Sequence, residues 1–490
     1  MSITGPASVP FDTLPATSPL RMPHFRAPGP RPLDGPLGTL ALLRALRANP
    51  VATWTKLHYE KLVLSGESIL GKIVVLSDPA LIKHVLVDNA ANYPKDRLQH
   101  RVLSTGLGNG LLLAEGDVWR AQRRALAPLF SPRTVAGFQE AMADVAAELV
   151  ARWNRQRDGR RVDVSQEMAR TTLRVLARTI FSEGLSRKAE DFARAVTHYL
   201  EAIGKIDPLD ILDMPKWIPR IGKLRARPTL KFFEEVVNTM IAERRALLES
   251  RPADAPRDIL TLLLQAADPE TGQGLSEDDI KANIVTFIAA GHETTSNTLT
   301  WALYLVSQDP AVRERLELEV DRELPDGRFV SGSLDRLVFT RAVVDEALRL
   351  YPPAATLTRD AAGPDRLGDV RIKAGGRVVI SPWLLHRHNL LWDDPNGFDP
   401  DRFLPENKGS IDRFAYLPFG AGPRVCIGAS FALQEAVIIL AALVRSYRLD
   451  LCGHHPIMPI QRVSLRPQGG MPMIAKRRRD LTPVPQGVLP

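Results

Sequence analysis

Cys426 stands in a glycine-rich segment at residues 419–428, directly before an apolar run at residues 429–443 that predicts a buried helix. Glycine neighbours let the backbone fold closely around the sulfur, and the N-terminus of the following helix favours an anionic thiolate. Such a thiolate is a ligand for a soft metal ion. Because most lone cysteines are small buried hydrophobes, the segment alone leaves both interpretations open.

A second candidate for chemistry lies inside a long predicted helix, at residues 289–295, with the sequence Ala-Ala-Gly-His-Glu-Thr-Thr. Glycine, histidine and threonine are poor helix formers, and a conflict between local propensity and burial is typical of a functional site. The hydroxyl of Thr294 can donate to a carbonyl one turn back and open the helix near Gly291. This opening would leave room for a ligand or a water.

Glu346 and Arg349 lie three residues apart on another predicted helix, residues 335–350, and therefore share one face. Such a pair by itself is typical of a surface ion pair. A double proline ends the helix at Pro352, and a loop-rich segment at residues 392–403 leads on to the cysteine segment.

The elements that position these residues are predicted to be mainly helical. The long helix should begin at Ser276, with Asp279 as a capping partner, and end near Ser307. An apolar break at residues 206–219 would cover a pocket or close the core. Other helices are expected at residues 80–87 and 117–130 and almost continuously over residues 134–250, and short strands at residues 73–76, 370–372 and 377–380, the last two in one small sheet. The predicted fold class is mainly α with small β-sheets (α+β).

Composition limits the function classes. The 490 residues carry a net charge of +8, but no nucleic-acid-binding motif accompanies it, so we expect no nucleic-acid partner. Two cysteines, Cys426 and Cys452, exclude a disulfide scaffold and favour a reducing, cytoplasmic location. No apolar run near the N-terminus is long enough for a signal sequence or membrane anchor.

The chain is predicted to form one domain at residues 37–475. Residues 1–36 contain nine prolines and are expected to form an extended arm. Residues 476–490 are expected to be a solvated basic and proline-rich tail.

Four motifs, in order and at the expected spacing, give the chain a clear family resemblance. Over residues 73–474 it resembles a cytochrome P450, a haem-thiolate monooxygenase. The motifs are F-x-x-G-x-R-x-C-x-G (Phe419, Gly422, Arg424, Cys426, Gly428), A-G-x-[DE]-T-[TS] (Ala290, Gly291, Glu293, Thr294, Thr295), E-x-x-R (Glu346, Arg349) and P-x-R-F (Pro400, Arg402, Phe403).

The resemblance implies the cytochrome P450 fold, with the long helix over haem b and the cysteine loop beneath it. It implies that Cys426 is the axial iron ligand, whose thiolate favours cleavage of the O–O bond. Thr294 would assist dioxygen activation and Glu293 would relay protons, although Glu293 could instead form a plain surface salt bridge. His292 is expected to face the core or solvent, and Cys452 to be a core residue.

The resemblance also implies three groups of supporting residues. Glu346, Arg349 and Arg402 would form a buried structural triad. Haem contacts are expected from Trp119, Arg123, Arg359, Phe419, Arg424, Gly428, Ala290 and His100. The substrate would be lined by Val285, Phe287, Ile288, Ala289, Ala354, Ala355, Leu357 and Met471.

These lining residues are mostly apolar and uncharged, so the expected substrate is a small hydrophobic molecule of terpenoid, steroid or fatty-acyl kind, oxidised with dioxygen. With no flavin or iron–sulfur motif in the sequence, electrons should come from a separate ferredoxin or flavodoxin with its reductase. Arg120 and Arg124 could steer this partner, or could equally be only a solvated face. A monomer is expected. A haem-thiolate isomerase or peroxygenase and a non-catalytic haem-binding sensor remain alternatives.

Overall fold

The computed structural model describes residues 24–68, 71–97, 108–182, 221–330, 332–453 and 457–478. Several sequence predictions therefore lie outside the described residues. These are the first 23 residues of the arm, the haem contact His100, the apolar break at residues 206–219, and the end of the tail from residue 479.

Helices make up most of the described chain. The α-helices are Thr39–Ala48 (α1), Leu57–Glu60 (α2), Pro79–Lys83 (α3), Gly116–Leu126 (α4), Pro132–Ala136 (α5), Gln139–Asn154 (α6), Val164–Phe181 (α7), Ile221–Ser250 (α8), Ile259–Leu264 (α9), Glu277–Gln308 (α10), Pro310–Glu323 (α11), Ser333–Arg336 (α12), Val338–Leu350 (α13), Pro382–Leu385 (α14), Pro405–Lys408 (α15) and Ala429–Ser446 (α16).

The strands form small, mostly antiparallel sheets. They are Val63–Ser68 (β1), Gly71–Leu76 (β2), Arg160–Asp163 (β3), Leu357–Asp360 (β4), Asp365–Leu367 (β5), Val370–Ile372 (β6), Arg377–Ile380 (β7), Tyr447–Leu451 (β8), Pro459–Gln461 (β9), Leu465–Pro467 (β10) and Pro472–Arg477 (β11). One sheet has the order β1-β2-β7-β4, with a parallel pair between β2 and β7 that aligns Leu76 with Ile380. A second has the order β3-β11-β8, and β5-β6 and β9-β10 form separate two-stranded sheets. The predicted α+β class is confirmed.

The long helix α10 crosses the middle of the molecule. Its predicted start is confirmed, because the Ser276 hydroxyl accepts the backbone N–H of Asp279 at 3.1 Å. Its 32 residues correspond to a length of about 48 Å. It packs against α7, α13 and α16, so that most of its surface is buried. A helix without an exposed face in the centre of a domain can present residues to an internal cavity.

Helix α16, which follows Cys426, is a core helix. Among the described residues it is the one helix long and apolar enough to cross a membrane, by length and composition alone. Its middle residues Ile438–Ala441 are completely buried against α6, α10 and α13. Burial inside the protein therefore accounts for its apolar composition.

Four predictions about the elements are wrong in detail. The strand Arg160–Asp163 interrupts the helical region expected over residues 134–250. The two strands at residues 370–372 and 377–380 belong to different sheets, because the first forms a hairpin with β5 while the second pairs with β2 and β4. The helix expected over residues 335–350 is divided at Leu337.

The fourth correction concerns the basic tail. Lys476 and Arg477 belong to β11, and the guanidinium of Arg478 pairs with Asp321 at 2.6 Å while only 13% of its side chain is exposed. These residues are part of the folded body because strand pairing with β8 continues to Arg477.

The described part of the N-terminal arm packs on the body. Arg26 forms an isolated bridge with Gly397, Ala27 is buried, and the Tyr351 hydroxyl donates to the Pro28 carbonyl at 2.9 Å. These contacts fix the extended segment next to the residues that lead towards Cys426.

Candidate active site

The cysteine loop is held in a tight conformation by its glycines. Gly420 and Gly422 both adopt φ of +71°, a conformation that side chains rarely allow. A Cβ at Gly422 would lie 1.8 Å from the carbonyl oxygen of Leu86, so no other residue fits. The backbone N–H of Cys426 donates to the Phe419 carbonyl at 2.9 Å and closes the loop.

The thiol of Cys426 faces an internal cavity and is exposed to it. Burial among protein atoms raises the pKa of this thiol, while the backbone N–H of Gly428 and the positive charge of Arg123 act in the opposite direction. A free thiolate is therefore disfavoured here, and a bound metal cation would stabilise it.

The cavity has a volume of about 360 Å³ and lies between the cysteine loop, α10 and β4. Of the residues predicted to contact a cofactor, all that the structure describes line it. These are Trp119, Arg123, Ala290, Arg359, Phe419, Arg424 and Gly428, together with Cys426 and Thr294. The tertiary structure thus brings two of the four sequence motifs, the cysteine motif and the motif on α10, to one cavity.

Cationic side chains converge on one side of this cavity. Arg359 and Arg424 lie there together with Lys95, which sequence reasoning missed. Burial, followed by the charges of Arg424 and Arg359, lowers the pKa of Lys95 to about 7, while Glu115 acts in the opposite direction. Burial likewise lowers the pKa of Arg424 to about 10.

This concentration of positive charge fits the two propionates of haem. Arg424 stacks 4.0 Å over the Trp119 ring, which holds its guanidinium in place. It donates to the Ala114 carbonyl at 2.7 Å and pairs with Glu115. Lys95 also forms an isolated bridge with Arg359. No motif marks Lys95 in the sequence, because its role depends on this pairing with a distant strand.

Helix α10 forms the opposite wall of the cavity. The Thr294 hydroxyl faces the cavity and donates to the Ala290 carbonyl one turn back at 2.7 Å, as the sequence predicts. Gly291 also lines the wall, and a Cβ there would come within 3.2 Å of Leu176. The glycine allows α7 to pack closely against α10 at this point.

Glu293 and His292 point away from the cavity. The Glu293 carboxylate accepts the Ser464 hydroxyl at 2.7 Å, and Ser464 in turn accepts a side-chain N–H of Asn297 at 2.8 Å. Among described residues Glu293 has no salt bridge. His292 is buried against α7, where its Nε2 lies 3.0 Å from the Ala169 carbonyl, and burial lowers its pKa to about 4.

The predicted triad is assembled behind the cysteine loop. Glu346 and Arg349 are completely buried and form two parallel hydrogen bonds of 2.6 Å each. Arg402 lies 3.7 Å from the Glu346 carboxylate, which also accepts the Asp399 backbone N–H at 2.9 Å. The remaining Arg349 N–H groups donate to the carbonyls of His386, Pro395 and Gly397.

His386 connects this triad to the cysteine segment. Its Nε2 accepts the Leu417 N–H at 2.8 Å and its Nδ1 lies 3.2 Å from the Arg349 carbonyl. Burial, followed by the charge of Arg349, lowers the pKa of His386 to about 3, so the ring is neutral and uses both nitrogens. The sequence offers no pattern that singles out this histidine.

The part of the cavity beyond Thr294 is mainly apolar. Of the residues predicted to line a substrate, Phe287, Ala354 and Leu357 do so, and Phe287 packs edge-on against Phe130 with ring centroids 5.0 Å apart. The others, Val285, Ile288, Ala289, Ala355 and Met471, lie outside the lining. Ala355 and Met471 are core residues, with exposed fractions of 1% and 0%. Additional lining residues include Leu111, Phe130, Leu176, Ile180, Ile259 and Thr286.

A family model named cytochrome P450 matches residues 64–473. The chain belongs to the cytochrome P450 family. It is 34% identical to a cyclooctat-9-en-7-ol 5-monooxygenase from Streptomyces melanosporofaciens, over 76% of this chain and 79% of the relative. It is 31% identical to a pentalenene oxygenase from Streptomyces avermitilis, over 78% of this chain and 83% of that protein.

The fold comparison agrees with this assignment. The crystal structure of the haem domain of cytochrome P450DA aligns with a TM-score of 0.80 at 26% identity, covering 93% of this chain and 99% of that one. This P450 is therefore a haem-thiolate monooxygenase. Enzymes of this kind use dioxygen, a hydrophobic substrate and electrons from redox partners.

Proposed function

We propose that this P450 oxidises a hydrophobic molecule of terpenoid, steroid or fatty-acyl kind. The apolar lining on the α10 side of the cavity carries this proposal, because Phe130, Phe287 and Ile180 offer no charged partner for a polar substrate. The two Streptomyces relatives support the terpenoid class, since their names refer to cyclooctat-9-en-7-ol and pentalenene.

We infer the following roles in holding the cofactor. The Cys426 sulfur would hold the haem iron, because its loop directs the sulfur towards the cavity. Lys95, Arg359 and Arg424 would bind the propionates through charge-assisted hydrogen bonds. The haem supplies the activation of dioxygen and the transfer of one oxygen atom to a C–H or C=C bond.

The chain's own contribution to this chemistry is the supply and placement of protons. We infer that the Thr294 hydroxyl, held by the Ala290 carbonyl, positions a water in the cavity. Glu293 would pass protons towards it through a movement of its carboxylate away from Ser464. Ser464, which itself accepts from Asn297, holds the resting carboxylate outside the cavity, so the relay requires this movement.

For electron delivery we infer a separate ferredoxin or flavodoxin with its reductase. The arginines of α4 support docking of an acidic redox partner less strongly than the sequence suggests, because acidic residues of this chain already pair with them. Arg124 pairs with Asp268 at 2.6 Å and Glu270 at 3.2 Å, and Arg120 pairs with Asp117. These acidic partners reduce the positive charge available to an acidic protein. We also propose a cytoplasmic monomer in which residues 37–475 form the haem domain, extended by β11 to Arg477.

Substrate-induced spin-state titration tests the proposed substrate class. A cyclic terpene, a steroid and a fatty acid are compared with polar sugars of similar size, and we expect the Soret band to shift only with hydrophobic compounds. A Phe287→Asp variant should lose the response, while Val338→Asp, at an exposed position, should keep it. A response to the sugars alone would contradict the proposal.

Turnover assays separate the alternative activities. Product that forms only with NAD(P)H, a ferredoxin system and dioxygen supports the monooxygenase. Product that forms with peroxide but not with the ferredoxin system would identify a peroxygenase, and product that forms without any oxidant would identify an isomerase. Spin shifts without product in any of these assays would indicate a haem-binding sensor.

A further inference from the structure

A second pocket, separate from the haem cavity, lies where the N-terminal extended segment crosses α2 and α14. Its volume is about 810 Å³, and it shares no lining residue with the haem cavity. Prolines of the segment and the ring of Trp383 form apolar walls. Gly29 approaches this ring so closely that a Cβ would lie 3.1 Å from it.

Arg387 lines this pocket, and two of its guanidinium nitrogens have no hydrogen-bond partner among the described residues. These nitrogens are Nη1 and Nη2, and the residue is 3% exposed. Its guanidinium lies 3.7 Å over the Trp383 ring and 5.3 Å from the Tyr351 ring. Burial lowers the pKa of Arg387 to about 10, so the group remains charged at neutral pH.

The neighbouring Arg349 shows how this fold satisfies a buried guanidinium when the protein itself supplies the partners. Arg349 is also completely buried, but the Glu346 carboxylate and three carbonyls accept its N–H groups. A buried charge without such partners is strongly unfavourable. A guanidinium that stacks by its face on an aromatic ring keeps its in-plane N–H groups free for an acceptor.

The rim of the pocket adds positive charge. Arg26, Arg31 and Lys56 line it together with one carboxylate, Glu60. Arg26 pairs with Asp394 at 2.9 Å and Lys56 with Asp34 at 2.7 Å. Within the described part of the chain, Arg31 forms no ion pair. Arg31 and Arg387 therefore leave the pocket with an excess of positive charge over Glu60.

We propose that this pocket is a binding site for a small organic anion. The carboxylate or phosphate of the ligand accepts two parallel N–H groups from Arg387, which is the arrangement in which guanidinium binds such groups best. Its apolar part lies against Trp383 and the prolines of residues 28–32.

Ligand binding to the haem-loaded protein tests this site. Benzoate and phenyl phosphate are titrated by calorimetry at constant ionic strength with chloride as the competing anion, and thermal unfolding is followed in parallel. We expect one of the two anions to bind and to raise the unfolding temperature more than chloride. The anion that binds with the higher affinity shows whether the site prefers a carboxylate or a phosphate.

Two variants and a control locate the binding. Arg387→Gln should weaken binding by about tenfold or more, and Arg31→Gln by a smaller factor. Arg371→Gln changes the net charge equally at an exposed position of β6 and should leave binding unchanged. If Arg387→Gln fails to fold, the comparison of Arg31→Gln with Arg371→Gln decides whether the anion binds in this pocket. Equal binding by Arg31→Gln and Arg371→Gln, or no binding beyond chloride in the unaltered protein, overturns the proposal.

Discussion

The Nε2 of His386 accepts the backbone N–H of Leu417 at 2.8 Å, and this bond links the Glu346–Arg349 pair to the segment that carries Cys426. Leu417 comes shortly before Phe419, whose carbonyl receives the Cys426 N–H. The neutral imidazole is therefore a structural connection between the triad and the proposed iron ligand.

Acid should weaken this connection. The pKa of His386 is about 3 in the folded protein and about 6.5 in an unfolded chain, so the unfolded state binds more protons between these values. This contribution to stability is present above pH about 6.5 and is lost as the pH falls towards 3. The side chain in His386→Gln keeps an acceptor but does not titrate. Between pH 7 and pH 4.5, the unfolding temperature of this variant should therefore fall less than that of the unaltered protein. An equal decrease in the unfolding temperature of the variant and of the unaltered protein would contradict this prediction.

The triad should be essential for haem incorporation. Arg349→Ala leaves the fully buried carboxylate of Glu346 without its main partner and should cost ~3 to 5 kcal/mol of stability. Lys281→Ala breaks the exposed pair with Glu277 on α10 and should cost roughly 0.5 kcal/mol or less. The ratio of Soret absorbance to protein absorbance after purification measures the difference. Equal haem content in the two variants would disprove the assembly role.

Cys426→Ser should remove thiolate ligation. The unaltered protein should give a thiolate-type Soret band as the reduced carbonyl complex, and the variant should lose it, because an alcohol is a far weaker donor to iron. Cys452→Ser serves as the control, since this free cysteine is not among the cavity residues. A thiolate spectrum that survives in Cys426→Ser and disappears in Cys452→Ser would reverse the assignment.

Thr294→Ala should separate reductant use from product formation. Loss of the hydroxyl removes the group that we infer to position a water, so more peroxide and less product should form per NAD(P)H consumed. Thr300→Ala is the matched control, because its buried hydroxyl also donates to a carbonyl one turn back at 2.7 Å but lies outside the cavity lining. Full coupling in Thr294→Ala would show that the hydroxyl is dispensable.

Glu435 should make the protein less stable as the pH rises. It is completely buried on α16, and this burial raises its pKa well above the usual value, against a smaller effect of the Thr295 hydroxyl. The folded state therefore holds the proton more tightly, and stability decreases above the unfolded pKa of about 4.3. We therefore compare the unfolding temperature of Glu435→Gln with that of the unaltered protein at two pH values. The advantage of the variant should be larger at pH 8 than at pH 5.5. Glu406→Gln, at an exposed position, should show no such trend, and an equal response of both variants would exclude the effect.

The sequence by itself determined the features that depend on neighbours along the chain. The Ser276 cap, the bond from Thr294 to Ala290 and the glycine loop before α16 are all local, and each was found as predicted. The family assignment followed from the same local motifs, since their order and spacing are properties of the chain.

Tertiary structure decided what depends on contacts between distant elements. Lys95 joins the proposed propionate site through its pairing with Arg359, and His386 reaches Leu417 across 31 positions of the chain. Met471 follows the family spacing but lies in the core, because pairing of the adjacent β11 with β3 and β8 fixes where it lies. Arg387 has the same residue type as Arg349, and only the packing around each shows that one guanidinium is satisfied while the other faces a pocket.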